Sequence, residues 1–140
     1  MYYQADTGST VTFVLSIFDA ETQENNPVTS VTNAYVIIKR MSDGKYYNWT
    51  NNTWDTVSNW SSLTSDHKKT LTNNDDGSYT TSWNQQSADS GNEADYIVIY
   101  YVDDTTYFYL GHELWKFRTP PAPEEENETE GESRSYPKPI

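Results

Sequence analysis

Alternating apolar and polar positions dominate the chain, and no stretch carries the 3.6-residue apolar spacing of an amphipathic helix. From Thr10 to Phe18, Val11, Phe13, Leu15 and Ile17 alternate with Thr12, Val14 and Ser16, the period of a strand with one buried face. Ala34 to Arg40 (AYVIIKR) reads as the next strand, and the Asp43-Gly44 turn pair after it feeds Lys45 to Trp49 (KYYNW) as a hairpin. The TNNT reversal from Thr50 to Thr53 brings Trp54 back towards Trp49. A loop with little regular pattern is expected from Asn59 to Asp66.

The segment from Lys68 to Trp83 (KKTLTNNDDGSYTTSW) predicts two strands around a tight turn, because Asn and Asp tolerate left-handed backbone and Gly77 supplies positive φ without steric cost. Tyr79, Thr81 and Trp83 then share one face. Asp95 to Val102 (DYIVIYYV) is apolar on both faces, as a central strand requires: Tyr96, Val98, Tyr100 and Val102 on one, Ile97, Ile99 and Tyr101 on the other. Its partner strand begins near Tyr107. There Phe108 and Leu110 occupy one parity and Trp115 and Phe117 the other, which predicts a bulge at the intervening Gly111.

Composition shifts at Thr119. The segment 119–140 holds five of the six prolines and six glutamates with almost no apolar side chains, so it is expected to form an extended or disordered acidic Pro/Glu-rich tail. Residues 1–118 are left as one body. Seven or eight short strands separated by turn signals suit an all-β fold, a single immunoglobulin-like antiparallel β-sandwich.

In that reading Asn92 to Val98 (NEADYIV) enters the strand on which antibody domains carry their second cysteine. Tyr96 stands where a tyrosine corner would, its hydroxyl expected against the backbone of the preceding DSGNEA turn, and Val98 takes the cysteine position. The chain has no cysteine, so packing alone holds the core. The 5 Trp, 12 Tyr and 4 Phe are the groups able to replace a bridge.

A net charge of −12 argues against nucleic acid or anionic lipid as partner, since both need clustered Lys and Arg. No positively charged, apolar signal segment opens the sequence and no apolar run approaches a membrane span, so export by the usual secretory route is not expected. The sequons at Asn48, Asn51, Asn59 and Asn127 are what chance yields in a chain this rich in Asn, Ser and Thr.

Together, GSTVTFVLSIFD, NPVTSVTNAYVIIKRMSDGKYY, DDGSYTTSW and EADYIVIYYVDD, within about residues 8 to 117, resemble the small immunoglobulin-like accessory domains of tailed-phage structural proteins. Amino-terminal domains of baseplate upper proteins are among these. The resemblance implies a non-enzymatic virion component, assembled in the host cytoplasm and bound to other virion proteins such as major capsid or tail proteins. A capsid decoration or head-fibre-like accessory is the leading expectation, and a tail or baseplate piece the alternative. Unlike multidomain baseplate proteins, this sequence continues from its sandwich into a tail.

No constellation announces chemistry. His67 and His112 lack the spacing of a zinc site, and Asp75-Asp76 and Asp103-Asp104 lack the rest of a calcium loop. There is no nucleophile elbow, phosphate-cradling glycine loop or distinguished carboxylate pair, and no cofactor, metal or catalytic residue is expected. The aromatic cluster Tyr47, Trp49, Trp54 and Trp60 supplies the candidate contacts. It either covers one end of the sandwich, meets a protein partner, or stacks on the sugar rings of a host-surface glycan. A homo-oligomer is a further option.

Overall fold

A computed structural model describes residues 2–19 and 26–122. The strands are β1 (Tyr2–Asp6), β2 (Thr10–Ser16), β3 (Phe18–Asp19), β4 (Asn26–Pro27), β5 (Ala34–Arg40), β6 (Tyr46–Asn48), β7 (Thr53–Asp55), β8 (Lys69–Thr70), β9 (Thr72–Asn73), β10 (Ser78–Asn84), β11 (Ala94–Asp103) and β12 (Phe108–Arg118). One short helix, α1 (Gln85–Asp89), joins β10 to β11. The predicted tail beyond Pro121-Ala122 lies outside the described residues, and 119–122 have no regular structure.

The protein is all-β. A seven-stranded sheet runs in the order β1-β12-β11-β5-β6-β7, with β8 also pairing β5; a three-stranded sheet runs β2-β10-β9, and β3 pairs β4. The pairings within the large sheet are antiparallel except β1 with β12, which is parallel.

Side-chain alternation places the core between the two larger sheets. The small sheet contributes Phe13, Tyr79 and Trp83; the large one contributes Val36, Ile38, Tyr96, Val98, Tyr100, Val102 and Phe117, all buried in one cluster. Trp83 is its hub, with the rings of Tyr96, Phe117, Tyr47 and Phe13 centred 4.9, 5.7, 5.8 and 6.1 Å away. Burying each large apolar side chain contributes roughly 1.5–3 kcal/mol.

β11 is central, as its two apolar faces require. The strand expected over Thr10–Phe18 breaks at Ile17, whose N–H turns to Gly77 O at 2.8 Å while its own carbonyl accepts from Val28 N at 2.9 Å. Gly77 has φ +90°, and a Cβ there would meet Pro27 Cβ at 2.7 Å. The irregular loop from Asn59 contains two single-turn 3-10 helices, Trp60–Ser62 and Ser65–His67.

The predicted bulge at Gly111 is absent. Register runs unbroken from Asp103 opposite Phe108 to Ala94 opposite Phe117. The change of parity instead marks two faces: Phe108 and Leu110 point outwards and are exposed, whereas Trp115 and Phe117 point to the core side. Gly111 serves close approach, because a Cβ there would collide with the ring and hydroxyl of Tyr109.

Candidate functional site

The four predicted contact aromatics do not form one surface. Tyr47 is buried on β6, opposite Trp54 of β7, and its ring meets Trp49 and Trp54 at centroid distances of 5.2 Å each. Trp54 is fixed on all sides: its indole N–H donates to Ala88 O at 2.9 Å, Tyr96 stacks on it, and the Arg40 guanidinium sits 4.5 Å from its ring centre. Those contacts occupy the ring that a sugar would need. Trp49 keeps a buried indole N–H without a partner, beside a shallow cavity of about 200 Å³ lined by Tyr47, Asn52, Ser82, Trp83, Asn84 and Ser87.

Trp60 lies apart from these three. The 3-10 turn carries it over the outer face of the large sheet, where it meets Tyr101 edge-on at 5.6 Å and borders a groove with Ile97, Ile99, Leu110, Gly111 and His112. Tyr101 also meets Phe108 edge-on at 6.2 Å. Phe108 is 72% exposed, Leu110 54% and Trp60 40%. A second groove is lined by Leu15, Ile17, Phe18, Val102, Tyr107, Phe108 and Tyr109. No Asp or Glu lines either groove. The second apolar face of β11 and the parity change in β12 both signal this aromatic-aliphatic surface in the sequence; exposed Asp103 borders it, accepting from the Tyr101 hydroxyl at 3.0 Å.

Tyr96 is fully buried near the start of β11, but its hydroxyl does not bond the turn backbone as expected. It donates to Asp89 Oδ2 at 2.8 Å and accepts from Gln85 Nε2 at 3.0 Å. Gln85 takes the backbone role: Nε2 also donates to Asn92 O at 2.6 Å, while Oε1 accepts from Gly8 N at 2.6 Å. Asn84 positions it by capping α1, its side chain accepting from Ser87 N at 2.8 Å. Asp89 passes the network on to Arg40 at 2.8 Å, and Arg40 forks onto Asp43 through Nε and Nη2. The hydrogen bond to Asp43 comes first among the causes that raise the Arg40 pKa. Burial pushes the Tyr96 hydroxyl well above its ordinary value. It stays protonated and structural.

Asp55, His67 and Thr64 superficially resemble a nucleophile triad. Nε2 of His67 lies 2.9 Å from Asp55 Oδ2, and Nδ1 lies 3.3 Å from Thr64 Oγ1. However, Nδ1 also accepts the Thr64 backbone N–H at 3.1 Å, so its lone pair is already engaged in a capping box. His67 therefore acts as a loop clamp in this geometry. Among the described residues no group of three His, Cys, Asp or Glu side chains is arranged to hold a metal, and no helix is long and apolar enough to cross a membrane.

No family model, curated protein or solved structure matches this chain.

Proposed function

We propose that this chain is a non-enzymatic structural protein of a tailed-phage virion, a capsid decoration or head-fibre-like accessory that binds other virion proteins through the outer face of its large sheet. The observation that carries a binding role is the exposed aromatic-aliphatic surface formed by Trp60, Ile97, Ile99, Tyr101, Phe108 and Leu110. Exposed apolar patches of this kind mark protein interaction sites, and aromatic residues dominate interface energetics.

Strand order supports the immunoglobulin-like reading. β12-β11-β5-β6-β7 follows the G-F-C-C′-C″ sequence of a variable-type sheet, and β2-β10-β9 follows B-E-D. Tyr96 then sits near the start of strand F, with α1 at the corner before it. The phage assignment rests on the sequence resemblance.

Quantitative proteomics and cryo-electron microscopy of purified particles test the proposal. The chain is expected at stoichiometric copy number on the capsid, with occupancy reduced by Leu110→Asp. A chain abundant in the host cytoplasm and absent from particles would end it; density on the tail would move it to the tail or baseplate alternative.

A second reading, attachment to a host-surface glycan, is favoured only by the cavity beside Trp49. Glycan-array binding lost in Trp49→Ala would support it.

A further inference from the structure

The backbone of β12 alternates in the direction of its hydrogen bonds. Asp104 N donates to Tyr107 O at 3.0 Å where the hairpin closes, and the unbroken register carries that alternation down the strand. Tyr109, Gly111 and Glu113 therefore turn their backbone groups to β11, while Phe108, Leu110 and His112 turn theirs away. β1 takes up that outward side only from Leu114 to Arg118. Among the described residues no strand pairs with the outward side of Phe108, Leu110 and His112. The edge lacks the lysine, proline or bulge that commonly guards such positions.

We propose that this edge is a self-association site at which two copies pair their β12 strands antiparallel, about a two-fold axis through Leu110. The edge is self-complementary. Antiparallel exchange requires outward-turned residues opposite outward-turned residues, and this axis sets Leu110 opposite the partner subunit's Leu110 and Phe108 opposite the partner subunit's His112. Side chains of one parity then lie on one continuous sheet face, so Phe108 and Leu110, the exposed residues of highest apolar cost, are covered with their equivalents.

Self-complementarity selects a second copy over a less specific contact. No Asp or Glu lines the grooves flanking this edge, and exposed Asp103, opposite Phe108, is followed across the pair by the partner subunit's His112. The pairing shares Phe108 and Leu110 with the surface proposed for virion binding, and the two readings are separated by different readouts. A monomer that still occupies particles removes only the dimer, and a dimer absent from particles removes only the virion reading.

Sedimentation equilibrium of the full chain across micromolar to near-millimolar concentrations provides the test. The wild type is expected to approach twice the chain mass. Leu110→Pro, which deletes an outward N–H and is tolerated at a strand edge, and Leu110→Lys, which guards the edge, are both expected to remain at the chain mass with unchanged far-ultraviolet circular dichroism. Should the proline variant unfold, the lysine variant decides. Amide exchange at Phe108, Leu110 and His112 is expected to slow as wild-type concentration rises. A wild type that stays monomeric throughout, a dimer that persists in folded Leu110→Lys, or a dimer without slowed exchange at these amides overturns the proposal.

Discussion

Trp54 lies flat against Tyr96, with ring centroids 5.6 Å apart and planes inclined by 10°. The stack joins the β6-β7 hairpin to the central strand, and the Trp54 N–H pins the same hairpin to α1 through Ala88 O. Trp54→Ala removes both. It is expected to cost about 3 kcal/mol in urea unfolding, towards the lower end for aromatic truncation because the ring is only half buried. Trp60→Ala, on the outer face, is expected to stay within about 0.5 kcal/mol of wild type. A reversed ranking would contradict this division between packing and surface.

Tyr96 separates ring burial from hydroxyl bonding. Tyr96→Ala empties the centre of the aromatic cluster and is expected to cost about 3–5 kcal/mol. Tyr96→Phe keeps the ring and removes two hydrogen bonds, leaving Asp89 with Arg40 and Gln85 with Asn92, so about 1–2 kcal/mol is expected. Equal, negligible shifts in the denaturation midpoint would refute the buried, bonded state of this residue.

Gln85 is the polar counterpart of that tyrosine. It is fully buried and is bonded to Gly8 N, Asn92 O and the Tyr96 hydroxyl. Gln85→Leu matches its volume but strands a backbone donor and an acceptor, so a loss of about 2–4 kcal/mol is expected. Amide exchange at Gly8 should accelerate in this variant. A variant as stable as wild type would show that water replaces the side chain without cost.

The strands that sequence reading located are those whose pattern is local. Ala34–Arg40 and the two-faced run around Val98 carry enough alternating apolar residues to be read alone. β1 escaped notice because Tyr2 to Asp6 has no apolar alternation, and its pairing with Leu114–Arg118 spans almost the whole described chain. α1, at five residues, is too short to show a helical period. At the site, grouping Trp60 with Trp49 and Trp54 followed proximity in sequence, whereas the 3-10 turn places it on the opposite side of the sheet from the core. A bulge at Gly111 follows only if parity reports one buried face. β12 is apolar on different faces at its two ends.

The Asp55-His67 clamp makes a pH-dependent prediction. The Asn48 amide, then the His67 ring, hold the Asp55 carboxyl below the usual carboxylate range. A group whose pKa is depressed on folding contributes stability that is fully present above its unfolded value, about 3.9 for aspartate, and is lost as pH falls through the folded value. Asp55→Asn retains an oxygen to accept from His67 Nε2 but has no charge to lose. Its Tm is therefore expected to lie below that of wild type at neutral pH, and the gap is expected to close below about pH 4 as the wild-type carboxylate is protonated. Asp43, depressed chiefly by its hydrogen bond from Arg40, has the same sign, so the double variant with Asp43→Asn should flatten the acid limb further. Differential scanning calorimetry across that range checks both. A Tm difference that is constant from neutral pH into the acid limb would mean that the Asp55 carboxylate adds nothing through its charge, and that the loop depends on the capping box between Thr64 and His67 alone.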